Sequence, residues 1–412
     1  MAHVSAQPVA DTDLSDLTLW RDGPPHEVLD RLRLQAPVHW SEMTTYDGQA
    51  GFWSLTRHAD VRQASMDWET FSSERGGMLL VDGLGVPMEL QRDVLISMDP
   101  PRHARFKGLF QRAFTPRTIA AHEVAIREIT VAAVQRVAAR GEGDLVVDIG
   151  APVTARVIGS LLGTDPADDE RLGHWGNSAL AFEDPEYRPD MDAFWRMMAD
   201  ATTYTLEAVA ARRSDPRDDL MTALAQAEIN GDRFTDGEII MQMGILVAGG
   251  TDSTKSVYTN LMHHLLQTPA DLERLLADPS LIPQAIEEAL RCFPAFGYQR
   301  RTATRDVELG GQQIREGDKV ALWLVAGNRD PEVYEHPHTF DLDRRPDHQA
   351  FGAGGRHFCL GAALARLELR VLMEETLRAL PMLELAGPAR RTSSTFLNQF
   401  KSIPVKVGDP TA

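Results

Sequence analysis

Apolar residues recur at helical spacing through most of the 412-residue chain and alternate in only a few short stretches, a pattern that predicts a mainly α fold with small β-sheets. Residues 26–34 read as a helix, while "VHWSE" and "GFWSLT" read as two strands joined by a turn in "TYDGQA". Long amphipathic patterns predict helices over about 103–139, 151–163, 168–182, 190–213 and 217–229. "NGDRFT" then breaks the pattern, and Thr235 with Glu238 three residues later forms a capping-box signature that opens a long apolar helix reaching about residue 267. Further helices fit 269–277 and 282–292. "VELGGQQI" predicts a hairpin turning at Gly310 and Gly311, and "FLNQFKSIPVKV" predicts a closing strand. No internal repeat or low-complexity linker divides the chain, so one domain over 1–412 is expected, with about residues 1–20 as a flexible N-terminal segment.

Four stretches carry candidate chemistry. In the long apolar helix, "LVAGGTDSTKS" places two glycines side by side, at a cost of about 1 kcal/mol each relative to alanine. One account is a kink or close helix packing at Gly249 and Gly250, with Asp252 facing water. The other is that the glycines make room for a ligand while Asp252 and Ser253 deliver protons into a dry site. "FGAGGRHFCLGAALARLE", residues 351–368, sets glycines and Cys359 directly before a helix-forming run. With two cysteines the chain has no disulfide framework, so Cys359 is either a small buried hydrophobe or a thiol whose nearby helix N-terminus favours thiolate. "GAGGR" supplies backbone that a flat ligand can approach. Finally, Glu288 and Arg291 in "AIEEALRCFP" share a helix face; alone they read as a surface pair, but joined by Arg344 of "HPHTFDLDRRP" they form a buried lock.

Composition narrows the setting. Hydrophobic residues at 43% and charged residues at 25% describe an ordinary soluble globule. The N-terminus has no basic start followed by an apolar core, and no run is read as approaching the roughly 20 apolar residues of a membrane span, so a cytoplasmic protein is expected. A net charge of −18 argues against a general nucleic-acid binder.

Taken in this order and spacing, the stretches resemble the cytochrome P-450 family of haem-thiolate monooxygenases, from "ISMDPPRHARFKGLFQRAFTP" to "KSIPVKV". The resemblance implies a triangular helical body with the long central helix lying over haem b. It makes Cys359 the axial thiolate ligand of the iron, on a loop one residue longer before the cysteine than the commonest bacterial form, with Phe351, Gly361 and Gly249 against the cofactor. His103, Arg301 and His357 match the positions that hold the propionates, and Lys107 stands where arginine is usual. Glu288, Arg291 and Arg344 match the structural triad. Asp252 and Ser253 match the acid–alcohol pair, with serine where threonine is usual, so Thr254 or Thr251 are alternative alcohols.

By family position the substrate pocket is lined by "GGMLLVDGLGVPMEL", Phe182, Ala248, Ala295, Phe296, Tyr298, Phe396 and Leu397. The implied activity inserts one atom of O2 into a hydrophobic small molecule, whether terpenoid, steroid, fatty acyl or aromatic. Electrons come indirectly from NAD(P)H through a ferredoxin- or flavodoxin-type donor and its reductase, because the chain shows no flavin or iron–sulfur motif of its own. A basic patch at Arg102, Arg105, Lys107, Arg112 and the helix after Cys359 is expected to receive that donor. The rival readings are a peroxide-driven or ring-coupling haem-thiolate enzyme and a non-catalytic haem sensor; Asp252 speaks against the sensor, which needs no proton route.

Overall fold

The computed structural model describes residues 9–46, 48–82, 87–111, 114–229 and 232–408. Its axis is the helix Asp236–Gln267, 32 residues long, opened by the expected capping box between Thr235 and Glu238. At 1.5 Å per residue it spans about 48 Å. Helices Ala151–Leu162, Asp169–Leu180 and Ala362–Ala379 pack against it.

The central helix is unbroken at the glycine pair. A Cβ on Gly250 would lie 2.8 Å from Ile158, whereas a Cβ on Gly249 would meet nothing within 4 Å. One glycine therefore allows close helix packing, and its neighbour leaves one face of the helix clear.

Two of the expected helices are shorter than the pattern implied. The stretch 103–139 is three helices, Arg102–Gln111, Pro116–Ala120 and Glu123–Arg140. Thr115 accepts from the Thr118 amide and Pro116 occupies the first turn, so a new helix starts there. Periodicity missed this because the apolar face continues across the breaks. The stretch 217–229 holds only Leu220–Ala225, capped by Asp219, and gives way to a hairpin of Glu228–Ile229 with Asp232–Arg233. Asn230 and Gly231 of the expected break lie outside the described residues, as does Asp47 of the first turn.

Strands form a five-stranded sheet in the order Val38–Ser41, Phe52–Leu55, Lys319–Trp323, Tyr298–Ala303, Phe71–Ser72. The hairpin at Gly310 and Gly311 turns with both glycines at positive φ, 57° and 78°. The expected closing strand is two, Phe400–Ser402 and Pro404–Val407, which serve different sheets. Residues 396–399 lie outside both strands, and the bridge between Leu397 and Phe296 leads them back to the interior.

A flexible segment reaching residue 20 does not hold for residues 9–20. Leu14 and Trp20 are buried, the Trp20 indole donates to the Leu14 carbonyl at 3.0 Å, and its ring stacks on Trp323 at 5.2 Å. Residues 1–8 lie outside the described set. The stretch Leu145–Leu162 also corrects an expectation: over 18 residues it is long and apolar enough to match a membrane span, with 67% of it buried inside the protein. It packs along the central helix as a core element.

Candidate active site

The loop before the helix Ala362–Ala379 presents the thiol. Its ends are tied where the Cys359 amide donates to the Phe351 carbonyl at 2.8 Å. Gly352, Gly354 and Gly355 take φ of +90°, +94° and +78°, a region that side chains avoid. A Cβ on Gly355 would lie 2.7 Å from the Ser65 carbonyl, so the loop rests directly on the helix His58–Met66. Phe351 is buried beneath the Arg366 guanidinium, 4.6 Å from the ring centre.

Cys359 lies deep within the protein, yet its side chain keeps accessible surface, as a residue lining an interior recess does. Burial pushes its thiol up, against the opposing pull of the Gly361 amide, Lys107 and Arg366. The helix-end effect expected from the sequence is thus outweighed by desolvation.

Beside the loop the charges of Arg301 and Lys107 converge with two neutral histidine rings. His103 and His357 lie with ring centres 4.3 Å apart, and Arg301 is buried beside them. Burial, then Arg301, His103 and Lys107, hold His357 down at about 2; burial, then Lys107 and Arg356, hold His103 down at about 4. Burial also brings Arg301 down to about 10. Asp99 opposes them but is engaged by the Ser72 hydroxyl and the Ser73 amide. Lys107 donates to the carbonyls of Arg356 and Phe358, tying its helix to the thiol loop. This set fits two carboxylates on the edge of a flat group, and with the thiol and the clear face at Gly249 it fits haem b.

Glu288 and Arg291 are not a surface pair. Both side chains are fully buried and joined by two hydrogen bonds of 2.8 and 2.7 Å. Arg344 donates to the same carboxylate at 3.1 Å, and Arg291 also holds the carbonyls of Asn328, Pro337 and Thr339. The lock therefore ties the helix Ile282–Cys292 to the irregular segment ahead of the thiol loop.

Phe182, Ala248, Tyr298, Phe396 and Leu397 share one apolar cluster with Leu79, Leu80 and Val81, and Phe296 packs against it. Ring centres of Phe182, Phe296 and Tyr298 lie 6.0, 5.0 and 5.2 Å from that of Phe396. Ala295 departs from the expected lining: its side chain joins the larger core, while its carbonyl accepts from the Asn398 amide. Residues 83–86 of the expected lining segment lie outside the described set.

The hydroxyls of the central helix point to different neighbours. Ser253 is half-buried and donates to the Gly249 carbonyl at 2.7 Å, beside the clear face. Thr251 donates to the Val247 carbonyl and lies against Gly176 of the helix Asp169–Leu180. Thr254 is buried against Glu368, whose carboxyl burial pushes up to about 8. Asp252 is fully buried, with Oδ1 held by Lys255 and Oδ2 without a hydrogen-bond partner among the described residues. Burial raises its carboxyl and Lys255 opposes that rise.

Lys255 and Glu368 were not singled out in the sequence. A lysine one turn after an acid inside an apolar helix was the available signal for the first. For Glu368 the only signal was an acid between Leu367 and Leu369.

The expected basic patch is largely paired. Arg102 bridges Asp93 and Glu238, Arg366 pairs with Glu287, and Arg370 pairs with Glu123 and Glu374. Arg112 lies outside the described residues.

The family model described as Cytochrome P450 matches residues 178–399. The chain is 35% identical over 412 residues to the methyl-branched lipid omega-hydroxylase of Mycobacterium tuberculosis, covering 97% of this chain and 95% of that protein. It is 34% identical to the steroid C26-monooxygenase of Mycolicibacterium smegmatis, covering 95% and 92%. A solved structure, Mycobacterium marinum cytochrome P450 in complex with pseudoionone, superposes with a TM-score of 0.91 at 32% identity, covering 98% of this chain and all of that one (100%).

Proposed function

From the premise that the chain belongs to the cytochrome P450 family and is a haem-thiolate monooxygenase of hydrophobic molecules, we propose roles for its residues and a substrate class. Its cofactor is haem b, with NAD(P)H supplying electrons through redox partners. Bound through thiolate, that group supplies oxygen activation and favours cleavage of the O–O bond. Cys359 is the iron ligand, fixed by the Phe351 carbonyl. His103, His357 and Arg301 take the propionates, and Lys107 has three protons, enough to hold two carbonyls and still face an anion. Phe351 and Gly361 frame the sulfur, and Gly249 keeps the central helix clear of the ring.

Asp252 and Ser253 form the proton-delivering pair. The observation that carries this is the Ser253 hydroxyl beside Gly249, while Thr251 and Thr254 are engaged elsewhere. Asp252→Asn keeps size and polarity but removes the exchangeable charge. Substrate binding should persist while turnover falls by roughly 10²–10⁴-fold; equal turnover would return the acid to a structural role.

The substrate is an apolar, methyl-branched chain. The aromatic wall of Phe182, Phe296, Tyr298 and Phe396 supports an apolar body, and the lipid hydroxylase relative supports the branching. Titration of branched, linear and polycyclic ligands, read by the shift of the haem spectrum, should rank the branched chains tightest. The chain works as a single haem domain in the cytoplasm with a ferredoxin- or flavodoxin-type donor. A groove of about 290 Å³ beside the thiol helix, lined by Ile119, Ile286 and Leu367 together with the paired Glu123, Glu287, Arg366 and Arg370, offers that donor a mixed apolar and charged contact. Turnover with reductase and NAD(P)H, compared with peroxide, separates this reading from a peroxygenase.

A further inference from the structure

Two helices give up side chains to house one buried ion pair. A Cβ on Gly150, at the start of the helix Ala151–Leu162, would lie 3.2 Å from Cγ of Lys255. A Cβ on Gly176 of the opposite helix would lie 3.2 Å from Oδ2 of Asp252 and only 2.1 Å from the Thr251 hydroxyl. Between them, the Lys255 ammonium is shared by Oδ1 of Asp252 and the Asn177 side-chain oxygen, the latter at 3.0 Å. Lys255 and Asp252 are 2% and 0% exposed.

The other groups around the carboxylate leave it to Lys255. Asn177 and Gly176 from the facing helix are neutral, the Thr154 hydroxyl is spent on the Thr251 carbonyl at 2.8 Å, and the Ser256 hydroxyl is spent on the Asp252 carbonyl. Tyr187, from the segment after the helix Asp169–Leu180, feels the Asp252 charge, and burial holds its phenol well above the ordinary range. Glu368 bonds Thr254 instead. A carboxylate this deep with no cation stays protonated; with a cation on one oxygen, it can give and take a proton on the other.

We propose that Lys255 is a positioning residue for proton delivery: it pins Oδ1 of Asp252 and stabilises the ionised form, so that each proton arrives at and leaves from Oδ2. This rests on the role given to Asp252 above. It involves proton transfer at Asp252 alone.

The test uses the full-length holoenzyme and two readouts. In Lys255→Met at neutral pH, infrared difference spectra should show a protonated-carboxyl band that is absent from wild type and from Lys255→Met/Asp252→Asn. Product formed per NAD(P)H should fall by about tenfold or more, with its pH profile displaced upward, while Lys255→Arg stays close to wild type. If Lys255→Met does not accumulate as folded holoprotein, the double variant is compared with Asp252→Asn. A lysine that acts only through Asp252 adds no further loss of coupling to the Asp252→Asn background. The proposal is overturned if Lys255→Met shows neither the band nor the displaced profile, or if adding it to Asp252→Asn lowers coupling again. The infrared band does not depend on turnover, so a failure of the monooxygenase reading itself would appear separately, as loss of the thiolate-type carbon monoxide spectrum in wild type.

Discussion

Removing the hydroxyl at Ser253 separates the alcohol beside the clear helix face from its neighbours. Ser253→Ala should leave NAD(P)H consumption substantial but divert it to peroxide. Ser253→Thr should preserve or improve coupling, because the added methyl restricts the rotamers of the hydroxyl that now reaches the Gly249 carbonyl. Thr254→Ala is the control; if it uncouples the enzyme and Ser253→Ala does not, the roles are reversed. Glu368 gives a pH test. Burial lifts its folded value from 4.5 to about 8, so the folded state holds a proton that the unfolded chain has already released. Its stabilising contribution is complete below the ordinary value and is lost progressively as pH rises through that window to about 8. Thermal melts should show wild type losing Tm relative to Glu368→Gln, by about a few °C across that range; parallel curves would mean the carboxyl titrates normally. At this scale the glycine loop before Cys359 and the glycine pair in the long helix were legible, because glycines in such places carry a conformational cost that a close approach or a positive φ must explain. Lys255 was not, since burial of a lysine depends on glycines at 150 and 176 that are far away in the chain.

Among the elements, the Glu288, Arg291 and Arg344 lock carries the clearest stability claim. Glu288→Ala leaves two guanidinium groups facing one another without their carboxylate, and loss of one partner in a buried pair costs about 3–5 kcal/mol. Little folded holoprotein should accumulate, and normal haem content with an unchanged Tm would contradict the burial seen here. The capping box at Thr235, the hairpin at Gly310 and the first strand pair were readable because each depends on residues a few positions apart. The stretch 103–139 was not, because a Thr-Pro cap starts a new helix inside a continuous apolar face and the next helix opens at His122 with no capping side chain to mark it. The final strand was misread for another reason: which sheet a segment joins is decided by distant partners, here Arg390–Arg391 for one half and Leu383–Leu385 with Glu142–Asp144 for the other.

For the whole molecule, the proposed haem-thiolate site joins one thiol on a glycine loop, a set of anion-holding side chains and a clear face on a long helix. The chain contains a built-in control, because its second cysteine, Cys292, is buried at the end of the locked helix, where burial pushes its thiol up to about 11. The direct measurement is the spectrum of the reduced carbon monoxide complex in wild type, Cys359→Ala and Cys292→Ala. Wild type and Cys292→Ala should both give the thiolate-type spectrum, and Cys359→Ala should lose it entirely. A thiolate-type spectrum that survives Cys359→Ala, or that disappears in Cys292→Ala, would contradict the assignment of the site.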